Sequence, residues 1–336
     1  MHVVGIDVHK HFCEISRINR TGREVDHLRL KTSLHDLIQY FDTVKSQLKD
    51  QLHIVFEEGE LSGWLYRGLI SHAAKVISAD PQKNSLIFKY GSKTDKIDSL
   101  KIAQLYKGGY INPVYHTDSE ERAELKNTVL MYHKITKDVV RNKARLKSLY
   151  RRYGIMIDGK DIYNPKYRDK YLAKIHNNQN AKMLFELLDM FVESKLKLEK
   201  TIKQSNKHIP IISKLKTIPG FGDITATTFF VIIDTPYRFH KKSQLWSYAN
   251  LGRRVAESGG KEKTKRQITG NKILKNCITT VYTNAMKSDN KFSKTFMRLV
   301  SINGKDHQIA RRIVCRKILT TAWSMWKNNS QYDDKY

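Results

Sequence analysis

The chain has 336 residues, 40% of them hydrophobic, enough for two packed cores and far from the composition of a disordered tail. Lys and Arg number 61 against 33 Asp and Glu, a formal charge of +28, so self-repulsion opposes compaction and a polyanionic partner is implied. No apolar run reaches the ~18 residues of a membrane span, and Cys13, Cys277 and Cys315 form no CxxC pair and have no histidines at zinc spacing, which argues against a disulfide framework, a zinc centre or a membrane protein and fits a reducing cytoplasm.

Val3 to Ile6 make a short apolar strand ending in Asp7, and Met1 to Asp7 read as that strand rather than as a targeting segment. His11 to Ile18 predict a second strand, with Phe12, Glu14 and Ser16 on one face and Cys13, Ile15 and Arg17 on the other. His27 to Lys31 alternate again after a turn near Gly22. Ser33 is a candidate N-cap for a helix through Leu37, Tyr40, Phe41 and Val44. His53 to Phe56 give a fourth strand running into Glu57, and a helix follows through Leu65, Leu69 and Ile70. Ala74 to Ile77 give a fifth strand, ended by Asp80-Pro81; a helix ending near Gly91 and another from Thr94 to about Tyr106 come next. Three strands, a helix, then strand–helix repeats is the order of an RNase H-like α/β fold with a mixed sheet.

From Asp118 the pattern changes to long basic helices. Leu125, Tyr132, Val139, Leu146 and Tyr153 recur every seven residues, with Val129 and Tyr150 at the matching second positions and Thr136 and Lys143 interrupting them. After a break from Gly154 to Lys170, a second stripe runs through Leu184, Leu188, Phe191, Leu198 and Ile202. A helical hairpin or coiled-coil arm fits this pattern, and so does an ordinary helical core layer. Arg141 to Arg152 are dense enough in cations to suit phosphates. The last part is mostly helical, with an apolar helix from Ile224 to Ile232 and a helix around Ala310 to Lys317 that presents Arg311 and Arg312 on a cationic face. The predicted division is a metal-binding domain over 1–115, a helical linker over 116–206 and a C-terminal domain over 207–336. Tyr66, Tyr106, Tyr110, Tyr150 and Tyr153 sit near basic groups, where they either stack on unpaired bases or line the edge of a core.

Four carboxylates stand out. Asp7 and Glu57 close the first and fourth strands, which approach each other if those strands are neighbours. Asp95 and Asp98 lie three apart on a predicted helix, on one face, with Cβ atoms ~5–6 Å apart. By themselves those two also suit a helix N-terminus, where the dipole favours negative charge. Together the four would repel one another without cations. Hard divalent ions, Mg2+ or Mn2+, resolve that conflict, and two of them ~3.5–4 Å apart can clamp a phosphodiester. Glu58 and Glu60 compete with Glu57, which follows the apolar strand directly and is preferred.

Gly5-Ile6-Asp7-Val8-His9-Lys10, Phe56-Glu57 with Gly59, and Lys93-Thr94-Asp95-Lys96-Ile97-Asp98-Ser99 resemble the RuvC-like domain of the DEDD transposases of bridge-RNA-guided insertion sequences, related to the Piv invertases. The likeness returns in Thr217 to Gly222 with Thr225-Ala226, in Arg238-Phe239, in Tyr248 to Gly252 and in Glu257-Ser258-Gly259-Gly260. The resemblance implies that Asp7, Glu57, Asp95 and Asp98 bind magnesium and that Ser258 attacks the DNA phosphate to give a covalent phosphoserine. It implies further that the middle helices assemble a homodimer or homotetramer. A noncoding guide RNA would pair with donor and target DNA in the bacterial cytoplasm, at the nucleoid. By its own context Ser258 sits in a Gly-rich loop where serine is common, and with no histidine beside it a metal or a carboxylate from elsewhere must activate its hydroxyl. Lys93, Arg253, Arg254, Lys261, Lys263, Lys265 and Arg266, with Arg311 and Arg312, are the candidate DNA-backbone contacts; a solvated charged loop is the competing reading. The chain departs from the family pattern at Glu58-Gly59-Glu60 and at the shortened Ile268-Thr269-Gly270-Asn271. A junction-type metal nuclease with Ser258 as a mere loop residue is the alternative; a non-catalytic binding protein is disfavoured because all four carboxylates are present.

Overall fold

The structure, a computed structural model, describes residues 1–81, 95–252 and 270–334, together with the backbone of 256–258 and 261–263. The chain forms two compact units, Met1–Glu121 and Arg122–Tyr336.

The first unit is built on a six-stranded sheet. Strands β1 (His2–Val8), β2 (Phe12–Ile18) and β3 (Glu24–Lys31) form an antiparallel ladder. Helix α1 (Leu34–Gln47) buries Leu37, Phe41 and Val44 at helical spacing and returns the chain to β4 (Leu52–Glu57), which pairs parallel to β1. Helix α2 (Ser62–Leu69) leads to β5 (Lys75–Ala79), parallel to β4. Helix α3 (Asp95–Lys107) follows, and a two-residue antiparallel edge, β6 (Pro113–Val114), completes the order β3-β2-β1-β4-β5-β6. This is the RNase H-like mixed sheet. The sixth strand, at two residues, is too short to carry a periodicity, and its proline is tolerated only at an edge.

Strand alternation divides the side chains between two layers. Val4, Ile6, Ile15, Ile54 and Phe56 pack beneath α1 and α2. Val3, Ile18, Val55 and Ile77 face the other way and meet Ile102 and Ala103 of α3.

In the second unit, α4 (Glu120–Arg152) and α5 (Gln179–Asn206) run antiparallel, tied by Tyr132 Oη to Glu199 Oε1 at 3.0 Å and Asn142 Nδ2 to the Leu184 carbonyl at 2.7 Å. All of the heptad stripe except Tyr153 is buried within the chain. Leu125, Val129 and Tyr132 join Ile202 in the main helical core, whereas Leu146 and Tyr150 pack on Ile162, Ile175 and Phe185 at the far end of the hairpin. Tyr150 is fully buried and cannot stack on a base; Tyr153 lies just past the helix end and is half exposed. Tyr106 donates or accepts against His53 Nδ1 at 2.9 Å, and Tyr66 packs on His116, so these two are used internally as well.

Helix α6 (Asp223–Ile233) is buried on every side from Ala226 onward and forms the centre of this unit, with α7 (Lys272–Ala285) and α8 (His307–Lys327) around it. Its C-cap residue, Asp234, is buried and receives Arg122 Nη1 at 2.9 Å. Gly220, in the turn before α6, has φ +91°, and a Cβ there would lie 2.2 Å from the Val281 carbonyl oxygen and 2.8 Å from the Ala285 nitrogen. Both are helix backbone and cannot step aside. Gly220→Ala is therefore expected to cost roughly 2–4 kcal/mol, from left-handed strain plus overpacking; a denaturant midpoint unchanged from wild type would refute that close approach. No described helix is long and apolar enough to cross a membrane. Cys13, Cys277 and Cys315 are all buried, and burial pushes the Cys277 thiol up to about 12.

Candidate metal centre

One glycine sets the position of the acids. Gly5 sits in β1 on the face that meets α3, and a Cβ there would lie 2.0 Å from the Ser99 carbonyl oxygen and 2.8 Å from the Ala103 nitrogen. Helix backbone thus rests directly on strand backbone. The contact is locked by the buried hydroxyls of Ser16 and Ser99, 2.9 Å apart, with Ser99 also donating to the Lys96 carbonyl. Asp95 and Asp98 occupy the first turn of that helix, Asp95 one turn before Ser99 and Asp98 immediately before it. Asp7 projects from the same sheet face, two residues after Gly5.

The result is a cluster in which Asp7, His9 and Asp95 each offer a ligand atom, all within 4.8 Å of one another. His9 Nε2 lies 3.1 Å from Asp7 Oδ2 and 3.6 Å from Asp95 Oδ2. Burial raises the Asp7 carboxyl above its ordinary range; Asp95 and Asp98 push it the same way, and His9 opposes them. The Asp7 side chain is 20% exposed and that of Asp95 45%, so the cluster opens to solvent and a cation can enter. Two carboxylates and an imidazole are a donor set that divalent ions accept.

Glu57 ends β4 one residue beyond the Ile6–Phe56 pair, and by alternation it shares the α3-facing side with Val55. Glu58 is on the opposite face: its Oε2 accepts from Ser78 Oγ at 2.5 Å and lies 2.7 Å from His116 Nε2. Glu60 lies beyond the strand and is exposed. Of the three glutamates, the sheet puts only Glu57 on the side of Asp7. Glu14, the cross-strand partner of Asp7, is also buried there, but Arg29 Nε at 2.5 Å and His27 Nε2 at 3.3 Å hold its carboxylate.

His9 was not among the residues singled out from the sequence. The signal was present: Asp7 and His9 are two apart, and period-two alternation puts such residues on one face. It was masked by the turn that begins at His9, where a histidine has no pattern to belong to.

Ser258 lies at the end of a short strand, β7 (Ala256–Ser258), paired with β8 (Lys261–Lys263) in the register Ser258 to Lys261. The side chains of Ser258, Lys261 and Lys263, the residues Lys93, Arg253, Arg254, Lys265 and Arg266, and the helix expected to end near Gly91 lie outside the described residues. Arg311 and Arg312 are exposed on α8, whose buried side carries Ala310, Val314, Cys315 and Ile318; Arg311 also sits 5.8 Å over the Tyr282 ring.

Two family models match the chain. The DEDD transposase model of the IS110 type matches residues 4–155, and the model described as transposase IS116/IS110/IS902 family matches residues 212–297. The transposase for insertion sequence element IS1533 of Leptospira borgpetersenii is 26% identical over 214 residues, which cover 63% of this chain and 60% of that protein. The match therefore leaves about two fifths of that relative's length unspanned. Among solved structures, Thermus thermophilus RuvC in complex with a Holliday junction substrate aligns at 15% identity and a TM-score of 0.28, covering 34% of this chain and 99% of that one. A second structure of Thermus thermophilus RuvC aligns at 16% identity with a TM-score of 0.26, over 34% of this chain and all of the other.

Proposed function

Because the chain belongs to the IS110 family of DEDD transposases, we propose that it is the transposase of an insertion sequence, cutting and rejoining DNA by serine attack at a divalent-metal centre. The observation that carries this reading is the meeting of Asp7 and Asp95, far apart in sequence, beside one another on the α3-facing side of the sheet. Asp7, Glu57, Asp95 and Asp98 would hold Mg2+ or Mn2+. Bound there, the ions supply Lewis-acid stabilisation of charge on phosphate oxygens.

The chain's own groups do the rest. The Ser258 hydroxyl oxygen bonds to phosphorus, one deoxyribose oxygen leaves carrying the proton, and the phosphoserine keeps the bond energy so that the reverse displacement rejoins strands. Arg253, Arg254, Lys261, Lys263, Lys265 and Arg266 flank Ser258 in sequence and would neutralise DNA backbone there, with Lys93, Arg311 and Arg312 extending the basic surface. Exposed apolar side chains on the hairpin, Met131, Val140, Met183, Met190 and Leu196, support assembly into a homodimer or homotetramer. The charge of +28 suits polyanionic partners, donor and target DNA together with a guide RNA that chooses the sites. A soluble, cytoplasmic location is part of the same reading.

The test uses the full chain on DNA carrying the element's ends. Cleavage is expected with Mg2+ and not in EDTA, and a protein–DNA adduct at Ser258 should be trapped in wild type and absent in Ser258→Ala. Cleavage that survives Ser258→Ala but not Asp7→Ala would replace the serine mechanism with a hydrolytic nuclease. Sequencing of co-purified nucleic acid tests guidance separately: one dominant RNA species supports it, and a random population does not.

A further inference from the structure

Resting on the metal reading above, we propose that His9 is a nitrogen ligand of the metal centre and makes it favour a transition metal such as Mn2+ over Mg2+. Three observations carry this. The first is distance. Metal–ligand bonds of ~2.1 Å place adjacent ligand atoms of an octahedral ion ~3 Å apart, and His9 Nε2 lies 3.1 Å from Asp7 Oδ2 and 3.6 Å from Asp95 Oδ2. One cation drawing on the two carboxylates therefore meets the imidazole with only a small adjustment.

The second is placement. His9 is held by the tight connection between β1 and β2: its amide donates to the Phe12 carbonyl at 2.9 Å, and its own carbonyl accepts from Thr32 Oγ1 at 2.7 Å. Its ring packs on Phe12 with centroids 4.6 Å apart. Both ends of the residue are thus fixed before any ion arrives, which lowers the entropy lost on ligation. The third is access. The His9 side chain is 38% exposed, so Nε2 reaches an incoming ion without the sheet opening.

Ligand chemistry then sets the preference. Mg2+ is a hard ion that takes oxygen and keeps its waters, whereas an imidazole nitrogen adds affinity for first-row transition metals. A centre of carboxylates alone would treat Mg2+ and Mn2+ more evenly. Ligation through Nε2 leaves the ring proton on Nδ1.

The test measures binding, without DNA or turnover, on the full-length wild type, His9→Ala, His9→Gln and Asp7→Asn. Titration calorimetry gives affinities for Mn2+ and Mg2+, and pulsed electron paramagnetic resonance reports whether a nitrogen is bonded to Mn2+. The expected result is a coordinated nitrogen in wild type that is lost in both His9 variants. The Mn2+ affinity should fall ~10-fold or more in those variants, with the Mg2+ affinity changing less than ~3-fold. Mn2+ that binds wild type with oxygen ligands only, or a nitrogen signal that persists without His9, overturns the inference while leaving the carboxylate centre standing. Mn2+ that fails to bind wild type, or binds Asp7→Asn equally well, removes the carboxylate centre itself and the inference with it. The wild-type spectrum decides the matter even if a substitution perturbs folding.

Discussion

Asp7→Asn is expected to lower DNA strand cleavage by ~10^3-fold or more, about 4 kcal/mol of barrier, while raising the thermal midpoint of the metal-free protein. The two effects share one cause. Burial and the neighbouring Asp95 and Asp98 raise the Asp7 carboxyl above its ordinary value, so the fold disfavours the charge that a cation needs. For an acid whose folded value lies above its unfolded one, stability is lost as pH rises through the folded value. At neutral pH the wild type carries that penalty, and the amide, nearly the same shape, does not. The stabilisation should shrink as pH falls below the ordinary carboxylate range, where wild-type Asp7 is protonated in both folded and unfolded chains. Added Mn2+ should raise the wild-type midpoint by mass action and leave the variant's unchanged. Scanning calorimetry at neutral and acid pH, with and without metal, checks each arm. A variant that cleaves within tenfold of wild type, or one that melts lower than wild type at neutral pH, would remove Asp7 from the centre.

Gly5→Ala is expected to abolish metal-induced stabilisation and to lower the unfolding midpoint, although Gly5 touches no ion. Its Cβ would press on the Ser99 carbonyl oxygen and the Ala103 nitrogen. Neither can rotate away as a side-chain tip would, so α3 must lift from the sheet. Overpacking of this kind costs about 1–3 kcal/mol, and separating the buried Ser16 and Ser99 hydroxyls adds about 1 kcal/mol. The displaced helix carries Asp95 and Asp98 with it, while Asp7 and Glu57 stay on the strands. Gly63→Ala is the control: it lies in α2, its nearest neighbour is the flexible Arg67 guanidinium at 3.4 Å, and alanine favours a helix. That variant should keep its midpoint and its metal response. Mn2+ titration followed by unfolding separates the two, and a Gly5→Ala protein that still binds Mn2+ at wild-type affinity would show that α3 does not depend on this contact.

Much of the first unit was legible because its signals are local. Short apolar runs that end in an acid, Val3 to Ile6 before Asp7 and His53 to Phe56 before Glu57, identify strands, and Leu37, Phe41 and Val44 at helical spacing identify α1. The acids at the ends of β1 and β4 and in the first turn of α3 could be named from those elements alone. So could the long basic helices of the second unit. The choice among Glu57, Glu58 and Glu60 was narrowed only by the sheet. One residue of displacement along a strand reverses the face, and the β4–β5 register turns Glu58 toward Ser78 and His116.

What the sequence by itself determined, then, was the kind and order of the elements and the residue types at their ends, since these depend on neighbours a few positions away. The tertiary structure alone decided which ends meet. Asp7 approaches Asp95 because β1 lies between β2 and β4 and because α3 crosses that sheet at a glycine with no side chain to hold it off. His9 turns to both acids because a tight turn and the Phe12 ring aim it. Tyr150, a stacking candidate by composition, became core because α4 and α5 close on each other. Such contacts are set by crossings between segments far apart along the chain, and no local period encodes the distance at which two backbones come to rest.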